Sequence, residues 1–410
     1  MTVSVESEIT AVFREERGRI VATLIRMTAD WDLAEECVQD AFAQALEHWP
    51  REGAPRRPGA WLTTSARNRA LDRLRRSAVE ATKLREVAEL SVPDREYDES
   101  GIPDDLLRLI FTCCHPALTM EARVALTLRT ITGLTSAEIA RAFLVPEPTM
   151  AKRLVRAKQK IHNARIPYRV PPAHLLPERT GSVLSVLYLL FSEGYAATAG
   201  ADLVRQSLSA EAIRLGRTLV ELMPDEPEAV GLLALMLLHD ARREARLDDA
   251  GELVPMEEQD RTRWDVERIA EGVALLEGAL RRGDPGPYQV QAAIAACHDT
   301  AATAEDTDWA QIALLYGQLL VFTPSPVVEL NRAVAVAMAD GPEAGLALVD
   351  ALARGGALDG YHLLPATRAG LLRRLDRDDE AVAAYREALE LAATDVERRY
   401  LLRRLAELTG

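Results

Sequence analysis

Apolar residues return along this chain at helical spacing nearly everywhere. Ile9, Val12, Phe13, Ile20, Val21, Leu24 and Ile25 form a first stripe. Ala34, Cys37, Val38, Ala41, Phe42, Ala45, Leu46 and Trp49 form a second, more regular one. Residues three and four apart share a helix face, so each stripe predicts an amphipathic helix with one buried side. Asp30 or Asp32 would cap the second helix. Residues 50–59 hold three Pro and two Gly and predict a loop. A third helix is predicted from Ala60 through Arg76, with further helices over 104–112 and 119–131. A helix-turn-helix then follows over 135–161. Thr135 and Glu138 have capping-box spacing at its start. Pro146 and Pro148 stand at the first turn of its second helix, where proline is tolerated.

The second helix of that pair separates its faces. Met150, Leu154, Ala157 and Ile161 form the apolar stripe; Thr149, Lys152, Arg153, Arg156 and Lys160 lie opposite. Between Ala151 and Arg165 there are six Lys/Arg and no acid. A short helix with a packed back and a cationic front suits the DNA major groove, where Arg and Lys reach base edges and phosphates.

Residues 166–180 carry four prolines and mark a domain boundary. Beyond them helix-length apolar patterns alternate with Pro, Gly and Asp breaks. Glu-Ala pairs at 343–344 and 380–381 recur 37 residues apart, each preceded by another helix-length segment, 325–337 and 361–375. A helix pair at that period predicts tetratricopeptide-like stacking, with an irregular helical bundle as the alternative. The expected fold class is all-α. The expected divisions are 1–78, an acidic linker 79–103, a helix-turn-helix domain 104–166, and a helical extension 167–410.

Charge sharpens this division. The net charge of −14 combines a nearly neutral first part with an acidic second part. Residues 1–165 carry 25 Lys/Arg against 24 Asp/Glu; residues 166–410 carry 24 against 39. Residues 51–76 hold eight Arg against Glu52 and Asp72, while residues 80–105 hold nine acids. Two basic islands on an acidic protein allow local binding of nucleic acid and repulsion elsewhere. The chain has no run of 18 apolar residues, and MTVSVESEIT lacks the pattern of a secretory signal. The four cysteines suggest no disulfide framework, which points to a reducing cytoplasm. Cys113, Cys114 and His115 are adjacent and cannot all converge on one ion, so no metal and no cofactor is expected.

The helix over 34–49 presents Glu35, Glu36, Gln39 and Asp40 opposite its apolar stripe. On the next helix Trp61, Ser65, Asn68, Asp72 and Arg75 follow one face, with Arg69, Arg73 and Arg76 beside it. An aromatic, cationic surface can bind single-stranded DNA by stacking and backbone contact. Trp61 has a second reading, as a core anchor.

Ala34–Asp40 (AEECVQD), Trp61–Leu62, Arg67–Asn68 and Asp72–Arg75 resemble region 2 of the bacterial extracytoplasmic-function (ECF) sigma factors. Residues 104–161 resemble region 4 of the same family. The blocks YLLFSEGY (188–195), EQDRTRW (258–264), YQVQAAIAACH (288–298) and SPVVELNRAVAV (325–336) resemble the subgroup with a long tetratricopeptide-type extension. The resemblance covers essentially the whole chain.

It implies a promoter-recognition subunit of RNA polymerase with no covalent chemistry of its own. Glu35, Glu36, Gln39 and Asp40 would bind the β′ clamp of core polymerase, and region 4 would meet the β flap. Arg56, Arg57, Trp61, Asn68, Arg69, Arg73, Arg75 and Arg76 would engage the −10 element and the displaced strand. Thr149, Lys152, Arg153, Arg156 and Lys160 would read the −35 element. The family often has a polar residue where Pro148 stands. The two prolines remove backbone donors that could hold phosphate, leaving that contact to Thr149.

In the extension, His239, Arg242, Arg246, Asp260, Arg261, Trp264, Tyr288, Gln291 and His298 come from neighbouring apolar helices. Buried polar groups need partners. The set reads as a polar pocket for a small-molecule or protein signal, as a sigma-contacting surface, or as a structural network. Two rivals stand beside the sigma reading: a conventional helix-turn-helix regulator with a helical-repeat sensor, and an enzyme centred on EQDRTRW and His298. No nucleophile–base pair or phosphate loop supports the second.

Overall fold

The computed structural model describes residues 5–85, 102–143, 145–196, 203–248, 254–392 and 395–409. Most of them are α-helical, and no strand occurs among the described residues. The helices fall into two compact units, Met1–Leu190 and Phe191–Gly410.

In the first unit α1 (Val5–Thr28) packs against α2 (Trp31–Glu52), α3 (Pro58–Arg85) and α4 (Ile102–Cys113). Asp30 caps α2, its Oδ1 accepting from the backbone N–H groups of Asp32 at 2.9 Å and Leu33 at 3.0 Å. The loop expected over 50–59 is shorter than that. α2 runs through Pro50 to Glu52 and stops at Gly53, whose φ is 84°. Pro50 removes one donor in the last turn, while buried Trp49 holds that turn against the core. α3 opens on Pro58, a first-turn position that tolerates proline. It continues past the expected end at Arg76 to Arg85, so residues 79–85 of the expected linker are helical. Residues 86–101 lie outside the described residues.

The helix expected over 119–131 changes character. α5 (Met120–Thr127) passes into a π-turn over Leu128–Thr132, which Gly133 ends in the left-handed region at φ 86°. Such insertions recur at functional positions, and this one faces α1. α6 (Ser136–Ala142) and α7 (Glu147–Asn163) form the helix-turn-helix. The capping box is complete: Glu138 N–H donates to Thr135 Oγ1 at 3.2 Å, and Thr135 N–H donates to Glu138 Oε2 at 2.7 Å. Met150, Leu154, Ala157 and Ile161 are all buried, so the predicted stripe is the packed face of α7. α8 (Leu176–Ala196) ends the first unit and begins the second.

The second unit continues with α9 (Leu203–Leu222), α10 (Pro227–Ala241), α11 (Val266–Leu280), α12 (Pro287–Asp299) and α13 (Trp309–Phe322). It closes with α14 (Pro326–Asp340), α15 (Pro342–Gly355), α16 (Leu363–Arg374), α17 (Asp378–Leu391) and α18 (Asp395–Thr409). From α12 onward each helix packs on the next, the arrangement expected of stacked helical hairpins. The two repeat units read from the sequence are the pairs α14–α15 and α16–α17. Gly345 lets α15 approach α14 closely: a Cβ there would lie 2.3 Å from Ala337 Cβ.

Candidate functional site

The acidic face of α2 meets the arginines of α3. Arg69 Nη1 lies 2.8 Å from Asp40 Oδ2, and Arg73 pairs with both Glu36 and Asp40. Arg69 and Arg73, expected to face DNA, therefore bind acids of α2 in this unit. Gln39 is exposed, as are Arg56, Arg57, Asn68, Arg75 and Arg76. Trp61 packs edge-on against Trp49, with ring centroids 5.6 Å apart. Its core-anchor role is thus present, and only part of the ring faces solvent. Ser65 donates to Gln44 Oε1 at 2.6 Å and ties α3 to α2.

On α7, Thr149, Lys152, Arg156 and Lys160 are exposed, and Arg153 is half-buried. Val155 is 64% exposed and, with Gln159, shares the outer face with Lys152 and Arg156. Sequence reasoning missed both residues. Spacing of three, four and seven from Lys152 was the available signal. An exposed apolar group and an exposed amide are chemically suited to a thymine methyl and an adenine edge.

Glu35 sits apart from the other acids of α2. It is 6% exposed. Its carboxylate lies 3.3 Å from Lys158 Nζ on α7 and 3.6 Å from Arg129 Nε. Thr130 Oγ1 donates to it at 3.5 Å. Lys158 also reaches Asp32 at 2.7 Å. Lys158 stands in neither of the two stripes read from the sequence of α7. Nearby, Arg17 is 1% exposed and donates to the Thr130 carbonyl at 2.6 Å. Burial lowers its guanidinium to about 10. Asp105, also buried, pairs with Arg26 and Arg108, each at 2.8 Å. The Tyr168 hydroxyl donates to the carbonyls of Ala22 and Asp105 at 2.9 and 3.2 Å.

In the second unit, six of the nine expected polar residues share one neighbourhood. Arg242, 2% exposed, bonds His239 Nδ1 at 2.7 Å and lies 3.3 Å from Asp299 Oδ1. Arg246 stacks over Tyr195 at 3.9 Å. Arg261 lies 4.5 Å over Trp264 and donates to the carbonyls of His298 and Ala301 at 2.9 and 2.6 Å. Burial and then the nearby guanidiniums hold the His239 imidazole at about 3 and that of His298 at about 4. Burial raises the Asp299 carboxyl to about 6 against the pull of the arginines. Asp260, the Tyr288 main chain and Gln291 bond to other groups. Exposed Asp260 caps the turn at Thr262, the Tyr288 N–H donates to Glu228 at 2.9 Å, and Gln291 bonds back to Pro287. Asp299 and Tyr195 belong to the cluster and were missed, because only tertiary packing reveals the partner of a buried arginine.

The Sigma-70 region 2 family matches residues 12–79, and Sigma-70 region 4 matches residues 108–161. The probable ECF RNA polymerase sigma factor SigI of Mycobacterium tuberculosis is 26% identical over 176 residues, 42% of this chain and 60% of that protein. ECF sigma factor SigK of Mycolicibacterium vanbaalenii is 28% identical over 159 residues, 37% of this chain and 79% of that protein. The chain thus carries Sigma-70 regions 2 and 4 and is similar over them to ECF sigma factors.

An uncharacterized protein of Rhizobium meliloti is 44% identical over 400 residues, covering 96% of this chain and 94% of its own length. A family of unknown function (DUF6596) matches residues 179–280, which include His239, Arg242, Arg246, Arg261 and Trp264. Among solved structures, yeast Tom70 aligns over 99% of this chain and 84% of its own, at 12% identity and a TM-score of 0.36. That score is too low to assign kinship of fold. No helix among the described residues is long and apolar enough to cross a membrane.

Proposed function

We propose that this sigma factor directs core RNA polymerase to promoters through three surfaces, and that its extension regulates them in cis. Glu36, Gln39 and Asp40 on α2, with Glu35, face the β′ clamp; region 4 meets the β flap. Arg56, Arg57, Asn68, Arg75 and Arg76, joined by Trp61, Arg69 and Arg73, engage the −10 element. Holding a base outside the stack costs a few kcal/mol, which contacts to the displaced strand must offset. The outer face of α7 reads the −35 element, with Arg153 at its side. A place beside core polymerase in the cytoplasm follows from these roles.

The observation that carries this reading is α7 itself. Its apolar residues are buried, and Thr149, Lys152, Val155, Arg156, Gln159 and Lys160 are left to solvent. Regulation by the extension is supported by charge: residues 166–410 are strongly acidic, and the DNA-facing helices are basic. The polar cluster around Arg242 is the candidate receiver of a small-molecule or protein signal.

The test is in vitro transcription with purified core polymerase, comparing the full chain with a chain ended after Leu190. Promoter-specific RNA that depends on the protein supports the sigma role, and a changed output after truncation supports regulation in cis. Unchanged output sinks the regulatory part. No complex with core polymerase, where a control sigma binds, favours a conventional DNA-binding regulator.

A further inference from the structure

The connection between α10 and α11 carries a loop with an anchored base and a reaching tip. Val254 N–H donates to the Arg246 carbonyl at 2.9 Å, and Asp265 N–H donates to the Ala241 carbonyl at 3.0 Å, so both ends lie beside the end of α10. Between them the Arg261 guanidinium holds the carbonyls of His298 and Ala301, and Trp264 is buried. Close ends make this an Ω-loop, a form that is frequently functional. Its tip is a single 3-10 turn, Met256–Glu258. Gln259 closes the turn by donating to the Val254 carbonyl at 3.2 Å.

The tip crosses to the far end of the second unit. Glu257 lies 3.1 Å from Arg374 on α16, and Glu258 pairs with Arg404 on α18. These partners stand 117 and 146 residues further along the chain. Arg242, at the end of α10, donates to the Met256 sulfur at 3.0 Å. Arg374 also bonds the Met338 sulfur on α14. The helices that the tip and its partners join, α10, α14, α16 and α18, are alternate members of the array, and α14 touches α16 directly. Alternate helices of stacked hairpins share one face, and arrays of this kind bind extended partners on such a face.

The contact is built for exchange more than for stability. Glu257 and Glu258 each keep 48% of their side-chain surface exposed. Half-solvated ion pairs add little to stability, so a competitor can displace them. The base of the loop is held by other bonds and does not need the tip. Arginine forks match carboxylates in a planar geometry and serve widely to recognise acidic motifs. Residues 166–410 carry 24 Lys/Arg against 39 Asp/Glu, so most of this surface repels an acidic segment while these arginines attract one. We propose that Arg374 and Arg404 form a docking site for a short acidic segment of another protein, two adjacent carboxylates after an apolar residue, and that Met256–Glu258 sits there as a resident competitor. The site lies within the second unit and goes beyond the sigma reading without depending on it.

Fluorescence anisotropy of a labelled VPMEEQ peptide, the sequence of residues 254–259, tests this on the full chain. The parent chain should bind the peptide weakly, because its own tip occupies the site and lowers the apparent affinity by the free fraction. Glu257→Lys with Glu258→Lys drives the tip off the arginines and should bind the peptide about tenfold more tightly. Adding Arg374→Ala should lower that affinity about threefold to fivefold. A peptide with both Glu replaced by Gln should not bind. Absence of peptide binding by the reversed variant overturns the proposal. So does equal affinity of parent and variant, or equal binding of the Gln peptide. Displacement of the peptide by an equal concentration of single-stranded DNA assigns the arginines to polyanions at large and overturns it as well. Where the reversed pair lowers the helical circular-dichroism signal, Glu257→Gln with Glu258→Gln takes its place under the same criteria.

Discussion

Arg17 on α1 donates to the backbone carbonyl of Thr130 at 2.6 Å, from a side chain only 1% exposed. The carbonyl belongs to the π-turn over Leu128–Thr132. Removing the guanidinium leaves a buried acceptor without its donor and opens a void. Arg17→Ala should therefore lower the stability of the first unit by about 2–4 kcal/mol. Urea unfolding followed by circular dichroism would show a lower midpoint, and an unchanged midpoint would refute the assignment.

Gly133 ends that π-turn at φ 86°, and a Cβ there would lie 2.5 Å from Arg17 Cδ. Gly133→Ala meets both a strained backbone and a steric clash. The expected cost is about 1–3 kcal/mol. Thermal unfolding should show a clear drop in Tm, whereas Gly53→Ala should cost less. Gly53 also has positive φ, but no atom lies within 4 Å of its would-be Cβ.

Lys152 and Arg156 are both exposed on α7, and their losses should differ in kind. Arg156→Ala should weaken promoter binding by about 1–3 kcal/mol and relax preference at one position of the −35 element. Lys152→Ala should weaken binding evenly across sequences and reduce the slope of affinity against salt by about one. Binding assays with the polymerase complex at several salt concentrations would separate the two. Identical effects would argue that both residues contact phosphate alone.

The Arg242 cluster predicts a dependence of stability on pH. His239 and His298 are depressed from 6.5 to about 3 and about 4. Between these values and 6.5 the unfolded chain binds protons that the folded one refuses, so their contribution rises with pH and levels above 6.5. Asp299, raised from 3.8 to about 6, acts in the opposite sense: its contribution falls as pH rises through that window. His298→Gln should flatten the pH dependence of urea unfolding below 6.5, and Asp299→Asn should steepen it. A His298→Gln profile parallel to that of the parent chain would show that this imidazole is not held neutral by the cluster.

Legibility in the sequence followed the range of the forces involved. The stripe Met150, Leu154, Ala157, Ile161 and the Thr135–Glu138 capping box were readable because helical periodicity and capping act within a few residues. The end of α2 and the start of α3 were misplaced because proline was read as a breaker. Trp49 packs the last turn of α2 into the core, and tertiary burial outweighed the local cost of Pro50. The π-turn has no periodic signature at all. Lys158 and Asp299 were passed over for one reason: each matters through a partner far along the chain.

The amino-acid sequence by itself determined the all-α fold class, that α7 has a buried face and a cationic one, and that an acidic extension follows two basic helices. These properties arise from side-chain size, charge and spacing. Tertiary structure alone decided that Glu35 is enclosed by Lys158 and Arg129 while Gln39 stays exposed. It also decided that Arg69 and Arg73 face Asp40 and Glu36 rather than solvent alone. Spacing places a residue on a face of its helix, but the neighbour that the face meets depends on how the helices pack. At contact distance that neighbour decides whether a charge is paired or left free to bind.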